Sequence, residues 1–100
     1  NKDKFFNMQN GVIIMKMLGT NLCIKCENAE KQLKEAGIQF DYVDFTNSIV
    51  DLKEFVTFRD THSEFNSVRG TGKVGIPCFV FDDGTITFDL HKAIELASTK

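Results

Sequence analysis

Two cysteines, Cys23 and Cys26, stand where an apolar run gives way to a helical pattern. The run ends at Leu18, is rich in β-branched residues and predicts a buried strand over residues 11–18. The apolar positions that follow recur at spacings of three and four, and they predict a helix over residues 23–36. The N-terminus of a helix is the positive end of its dipole and offers free N–H groups, which favours thiolate over thiol. The sequence therefore predicts a βα unit with two reactive thiols at its turn.

The middle of the chain predicts a second strand and a second helix. Residues 39–45 (QFDYVDF) alternate imperfectly between apolar and polar side chains, which indicates a strand. Ser48 and Asp51 resemble a capping box, and a further helical turn is predicted over residues 63–68. The side chains expected near one face of the second helix are Ile49, Leu52, Phe55, Val56 and Arg59.

The last third of the chain predicts a hairpin and a helix. Residues 78–81 and 85–88 are apolar runs separated by Asp83-Gly84, and this pattern is typical of a β-hairpin turn. Asp89 is expected to cap a final amphipathic helix. The predicted order is β-α-β-α-β-β-α, an α/β fold whose four-stranded mixed sheet has helices on both faces and one right-handed parallel crossover.

Length and composition indicate one domain. A chain of 100 residues with ten Phe can bury one core, which we assign to residues 11–100. The polar segment 1–10 precedes it as a flexible leader, a frayed terminus or a remnant of cloning, and we attach no function to it.

Charge and hydropathy disfavour several classes of partner. The formal charge of -2 offers no basic field for nucleic acid. The longest apolar run, residues 11–15, is far shorter than the roughly 20 residues of a membrane span, and no secretory leader pattern precedes it. Three cysteines also fit a reducing compartment better than a secreted disulfide framework. We therefore expect a cytoplasmic protein that has no membrane partner.

The C-x-x-C at the start of the first helix and Ile76-Pro77 before the third strand together resemble the glutaredoxin branch of the thioredoxin-like superfamily. The resemblance covers residues 12–99 and includes the only proline of the chain. It implies a thioredoxin-like fold and a thiol–disulfide oxidoreductase in which Cys23 attacks and Cys26 resolves. It also implies that Pro77 is cis and that the Ile76 backbone pairs with a bound thiol substrate.

Further substrate contacts are expected at three positions. Thr20 stands on the approach to the first cysteine, where the family usually has Lys, and Asp89 matches a family Asp after the last strand. Lys25, between the cysteines, is expected to lower the pKa of either thiol by its charge. We expect no tightly bound cofactor and no resident metal. Glutathione is expected as a co-substrate, a protein disulfide or a low-molecular-weight thiol as the partner, and a monomer as the working unit.

The same thiols also allow other readings. One C-x-x-C supplies two ligands, and His62 and His91 lack tight spacing to it, so a closed four-ligand metal site within one chain is disfavoured. An iron–sulfur or zinc carrier that shares a site across a dimer is the alternative function, and a binding module with unreactive thiols is a third. We interpret Cys78 as a small apolar strand residue and not as a third thiol of the site.

The glycine-rich segment 69–75 (RGTGKVG) predicts a functional loop. It resembles a phosphate loop, but Ser67 and Val74 occupy two required positions, so nucleotide binding is rejected. Arg69 and Lys73 are candidates for holding a carboxylate, although most loop cations are simply solvated.

Overall fold

The computed structural model describes residues 15–99. The predicted strand residues 11–14 and the polar segment 1–10 lie outside this part of the chain. The order of the predicted elements is confirmed. The strands and helices are β1 (Met15–Gly19), α1 (Ile24–Glu35), β2 (Phe40–Asp44), α2 (Ile49–Thr61), a 3-10 helix (Ser63–Ser67), β3 (Cys78–Phe81), β4 (Ile86–Thr87) and α3 (Leu90–Ser98).

The four strands form one mixed sheet in the order β2-β1-β3-β4. β1 runs parallel to β2 and antiparallel to β3, and β3 pairs with β4 as the predicted hairpin. The strand predicted over residues 85–88 is shorter, because Asp89 donates its backbone N–H to the Thr87 side chain as the chain turns toward α3. The central strand β1 therefore has neighbours on both edges.

The core is divided by the sheet into two apolar clusters, as expected for helices on both faces. Met17 of β1 and Phe79 of β3 belong to the cluster that packs against Leu33 of α1 and Ala93 of α3. The other face packs against α2 and the 3-10 helix, through Leu18, Phe45, Phe55, Phe58, Phe65, Val68, Cys78 and Val80. Alternation along the strands explains the division, because successive side chains point to opposite faces.

The face of α2 that packs against the core differs from the predicted face. Phe55 and Phe58 are buried, whereas Ile49 and Val56 are exposed. The Phe55 ring stacks on Phe45 with centroids 4.2 Å apart, and Phe65 meets Phe55 and Phe58 edge to face. Burial of large aromatic rings stabilises the fold more than burial of smaller aliphatic side chains, so the rings decide how α2 is rotated.

Capping residues define the helix ends. Ser48 accepts a hydrogen bond from the backbone N–H of Asp51 at 3.0 Å, which confirms the predicted start of α2. Gly37 follows α1 with φ of 73°, as expected for a C′ glycine. Within residues 15–99, no helix has the length and apolar character that would let it cross a membrane.

Candidate functional site

The turn between β1 and α1 positions the two cysteines. Cys23 is the N-cap residue of α1, with extended backbone angles, and its N–H donates to the carbonyl of Thr20 at 3.1 Å. Cys26 lies one turn further along and is fully buried, whereas Cys23 is partly exposed. The Cys23 sulfur therefore lies beside the unpaired N–H groups of the helix N-terminus. The Cys26 thiol lies on the core side of the same turn.

The surroundings of the two thiols separate their pKa values. Burial acts to raise the pKa of Cys23, but its sulfur accepts hydrogen bonds from the backbone N–H and the thiol of Cys26, and these bonds, together with Lys25, lower the pKa below the ordinary value. Burial raises the pKa of Cys26 to about 12 against a weaker opposing hydrogen bond from the Thr20 backbone. The site thus holds one thiol disposed to ionise and one held protonated, an arrangement suited to nucleophilic attack by Cys23.

A groove of about 800 Å³ opens beside Cys23. It lies between the β1–α1 turn, the end of the 3-10 helix and the loop that leads into β3. The peptide bond between Ile76 and Pro77 is cis, as the resemblance implied. The residues that line the groove are Thr20, Leu22, Cys23, Lys25, Ser67, Val68, Lys73, Val74, Gly75, Ile76, Pro77 and Phe88.

The backbone of Ile76 is free to bind a ligand. Among residues 15–99, no hydrogen bond uses the N–H or the carbonyl of Ile76. The residue precedes β3 and lies in the groove wall next to Pro77. A free donor and acceptor in a groove can pair with the main chain of an extended ligand.

Two arginines fix the loop that forms the far wall of the groove. Arg59 of α2 donates from Nε to the carbonyl of Val74 at 3.1 Å and from Nη2 to the carbonyl of Lys73 at 2.9 Å. Arg69 donates to the carbonyls of Arg59 and His62 and to the side chain of Asn66. The guanidinium of Arg69 therefore forms its hydrogen bonds within the protein. It does not bind a ligand carboxylate as the sequence suggested.

A polar network supports the near wall. Asp44 accepts hydrogen bonds from the backbone and side chain of Thr46 and from the N–H of Asn21. Burial acts to raise the pKa of Asp44, but these hydrogen bonds lower it below the usual value, so the carboxylate stays charged. The Thr46 hydroxyl lies 3.0 Å from that of Thr20, which accepts from the N–H of Leu22 at 3.2 Å. The hydroxyl of Thr20 thus holds the turn, while the residue as a whole lines the groove.

The structure brings most of the residues that we predicted for the site together. Cys23, Thr20, Lys25, Ile76 and Pro77 all line the groove, and Cys26 lies one turn of α1 beyond Cys23.

Asp89 is not brought to the groove lining. Its carboxylate accepts the N–H groups of His91 and Lys92 at 2.9 and 3.3 Å, because it is the N-cap of α3. The prediction that Asp89 contacts substrate is therefore not supported, whereas the predicted cap is confirmed.

Cys78 lies on the other face of the sheet from the thiol pair. It is fully buried in the cluster of Leu18 and Val80, whereas Cys26 belongs to the cluster of Met17. Burial raises its pKa above the ordinary value. This placement agrees with the reading of Cys78 as an apolar strand residue.

Gly19 and Tyr42 lie beside Cys26 and were not among the predicted site residues. Gly19 ends β1, and a Cβ atom there would lie 2.7 Å from the Cys26 sulfur. The Tyr42 side chain packs in the same cluster, and its buried hydroxyl makes no hydrogen bond among residues 15–99. A glycine between a strand and a C-x-x-C was the available signal for Gly19, whereas Tyr42 looked like an ordinary strand residue.

Over residues 15–99, no three His, Cys, Asp or Glu side chains are grouped so that they could hold a metal ion. A metal or cluster site on these thiols would therefore need ligands from outside this group of residues, such as a second chain or glutathione.

Comparison with known proteins finds a relative that matches part of the chain. An uncharacterized protein of Haemophilus influenzae (strain ATCC 51907 / DSM 11121 / KW20 / Rd) is 33% identical over 61 residues, which cover 61% of this chain and 71% of that protein. No family model matches the chain. No solved structure matches it either.

Proposed function

The chain belongs to the same family as the Haemophilus influenzae protein, and we propose that it is a thiol–disulfide oxidoreductase of the glutaredoxin-like type. The observation that carries the proposal is the placement of Cys23, which is the partly exposed N-cap of α1 and lines the groove together with Pro77. At this position the helix N-terminus and Lys25 favour the thiolate, which faces the groove. The order of elements around this pair, and the cis Pro77 beside it, support a thioredoxin-like fold.

Exchange proceeds in two steps. The Cys23 thiolate attacks one sulfur of a substrate disulfide, so that a bond from Cys23 to that sulfur forms, the substrate S–S bond breaks, and the other sulfur leaves as a thiolate that takes a proton from water. Cys26 then loses its proton and attacks the Cys23 sulfur. The Cys23–Cys26 disulfide forms and the bound sulfur leaves as a thiol. Two electrons pass from the protein dithiol to the substrate.

The raised pKa of Cys26 fits its place in the second step. While its pKa is about 12, Cys26 stays a thiol and donates a hydrogen bond to the Cys23 thiolate. Once Cys23 is bound in a mixed disulfide, that negative charge is gone, and the Cys26 thiol then loses its proton more easily. Attack by Cys26 is thereby delayed until substrate is attached.

Two thiols of an external reductant must restore the dithiol. Glutathione is the co-substrate we propose: two molecules reduce the Cys23–Cys26 disulfide and leave as glutathione disulfide. This cycle needs no tightly bound cofactor. A monomer contains both reacting thiols, and a reducing compartment such as the cytoplasm supplies the reductant.

The proposal is tested by equilibrating the protein in buffers with different ratios of reduced to oxidised glutathione, which set the redox poise. The samples are quenched with acid, and the state of each cysteine is mapped by mass spectrometry. We expect a reversible Cys23–Cys26 disulfide and transient glutathione on Cys23, while Cys78 serves as the buried internal control. Cys23→Ser should abolish turnover of a small disulfide. Thiols that stay reduced at every poise would refute the proposal, and stoichiometric metal in anaerobically purified protein would favour a carrier instead.

A further inference from the structure

Large apolar side chains surround Cys23 at the surface. Leu22, directly before it, is 82% exposed, and Val74, on the opposite wall of the groove, is 47% exposed. Phe88 and Val68 also line the groove. Apolar side chains left in water next to a reacting group are typical of a surface that binds an apolar ligand.

The backbone that carries Leu22 and Val74 is held in place before any ligand arrives. The N–H of Leu22 is bonded to the hydroxyl of Thr20, and Arg59 holds the carbonyls of Lys73 and Val74. Gly75, with φ of 94°, brings the loop so close to Phe65 that an added Cβ would lie 2.9 Å from the ring. A preformed groove loses little conformational entropy when it binds, which favours selective binding.

The charge of the groove is of one sign. Among the residues that line it, Lys25 and Lys73 are cationic and none carries a carboxylate. The charge of Lys25 acts on the Cys23 sulfur and lowers its pKa. Lys73 lies on the other wall, and among residues 15–99 no side chain forms an ion pair with it. Lys73 therefore offers a cation to a ligand on the wall opposite Cys23.

We propose that this groove selects a protein disulfide whose reacting cysteine has a large apolar neighbour, which packs between Leu22, Val74 and Phe88, and a nearby carboxylate, which pairs with Lys73. The inference rests on the proposed exchange activity and names its substrate class. Glutathione offers carboxylates but no apolar side chain beside its cysteine, so it leaves the exposed side chains of Leu22 and Val74 in water. A peptide segment covers them while its main chain pairs with the backbone of Ile76.

Model peptides that carry cysteine as a mixed disulfide with thionitrobenzoate test the proposal. When Cys23 attacks the peptide sulfur, the S–S bond breaks and coloured thionitrobenzoate leaves, so one mixing experiment with the reduced protein gives a rate constant. The peptides place Leu and Glu on the two sides of Cys, in both orders, and the matched peptides carry Ser for Leu, Gln for Glu, or both replacements. Of the two peptides that contain Leu and Glu, we expect the faster one to react about tenfold faster than the peptide with Ser and Gln. It should exceed the mixed disulfide of glutathione and thionitrobenzoate by a similar factor.

Two groove variants and one control separate the contributions. Lys73→Gln should remove the preference for Glu over Gln but keep that for Leu over Ser, and Val74→Ser should do the reverse. Lys53→Gln makes the same charge change at an exposed position of α2 outside the groove lining, and it should keep both preferences.

The outcomes distinguish the two proposals. Equal rates on all peptides, or an equal loss of the Glu preference in Lys73→Gln and Lys53→Gln, would overturn the substrate assignment and leave the exchange activity standing. No release of thionitrobenzoate from any peptide would instead refute the exchange activity. If Val74→Ser does not fold, the wild-type rates and the two lysine variants still decide the question.

Discussion

Gly19 makes room for the thiol of Cys26, because a Cβ at residue 19 would lie 2.7 Å from the Cys26 Sγ and 3.3 Å from its Cβ. The Cys26 side chain is fully buried, so its sulfur is surrounded by protein and not by solvent. The end of β1 and the first turn of α1 therefore pack at a distance that only glycine permits. This contact connects the strand to the resolving thiol, and any larger residue at position 19 must displace that thiol.

Gly19→Ala should lower the free energy of unfolding by about 1–3 kcal/mol, the usual cost of overpacking a core. It should also lengthen the lifetime of a mixed disulfide on Cys23, because a displaced Cys26 attacks more slowly. Urea unfolding and quenched-flow mass spectrometry measure the two effects.

Gly84→Ala is the matched control for that variant. Gly84 has φ of 94° in the turn between β3 and β4, and a Cβ there would contact nothing within 4 Å. The substitution should cost stability through backbone conformation alone and leave the mixed-disulfide lifetime as in the wild type. Equal lifetimes in Gly19→Ala and the wild type would contradict the contact.

The spacing of apolar residues along the chain was sufficient to predict which strands and helices form. The runs before Leu18 and after Pro77, and the spacing from Cys26 to Ala36, predicted β1, β3 and α1 to within two residues at the ends that the structure describes. Capping chemistry predicted the starts of α2 and α3, because Ser48 and Asp89 accept N–H groups from their own helices. All these signals act over a few residues and are visible in one sequence.

The walls of the groove could not be predicted in the same way. The far wall depends on Arg59, which bonds carbonyls 14 and 15 residues away, and a carbonyl carries no sequence signal of its own. Arg69 looked free to bind a carboxylate because its partners are also mostly carbonyls. The rotation of α2 likewise depends on the Phe45 ring, which belongs to a different part of the chain.

Cys26→Ser should trap substrate on Cys23. The second thiol near the site is then lost, and Cys78 is on the opposite face of the sheet, so no thiol of the chain can displace the bound sulfur. Incubation with a protein disulfide should give a covalent adduct of about one substrate per chain, detected by mass and released by dithiothreitol. Cys78→Ala provides the control and should give no lasting adduct. Rapid turnover by Cys26→Ser without glutathione would show that Cys26 is not the resolving residue.

Arg59→Met should loosen the far wall of the groove. The variant loses two hydrogen bonds, to the carbonyls of Lys73 and Val74. Its free energy of unfolding, measured with urea, should therefore be lower by about 1–2 kcal/mol. Faster amide hydrogen exchange should appear in residues 73–76. Lys53→Met, at an exposed position of the same helix, is the control and should change neither quantity. Unchanged exchange in the loop would mean that Arg59 does not hold it.

The pH dependence of alkylation should reveal the ionisation of Cys23. Only the thiolate reacts with iodoacetamide, so the rate rises with pH through the pKa of Cys23, which lies below the ordinary thiol value of 9.0, and falls as the pH drops below it. Lys25→Met removes a charge that lowers this pKa, and we expect the rate at pH 7 to fall roughly two- to fivefold. Lys31→Met removes an equal charge further along α1 and should leave the profile unchanged. Mass mapping should find Cys26 unmodified at pH 7, because its pKa is raised to about 12. A midpoint at or above 9 for Cys23 in the wild type would contradict an activated nucleophile at this position.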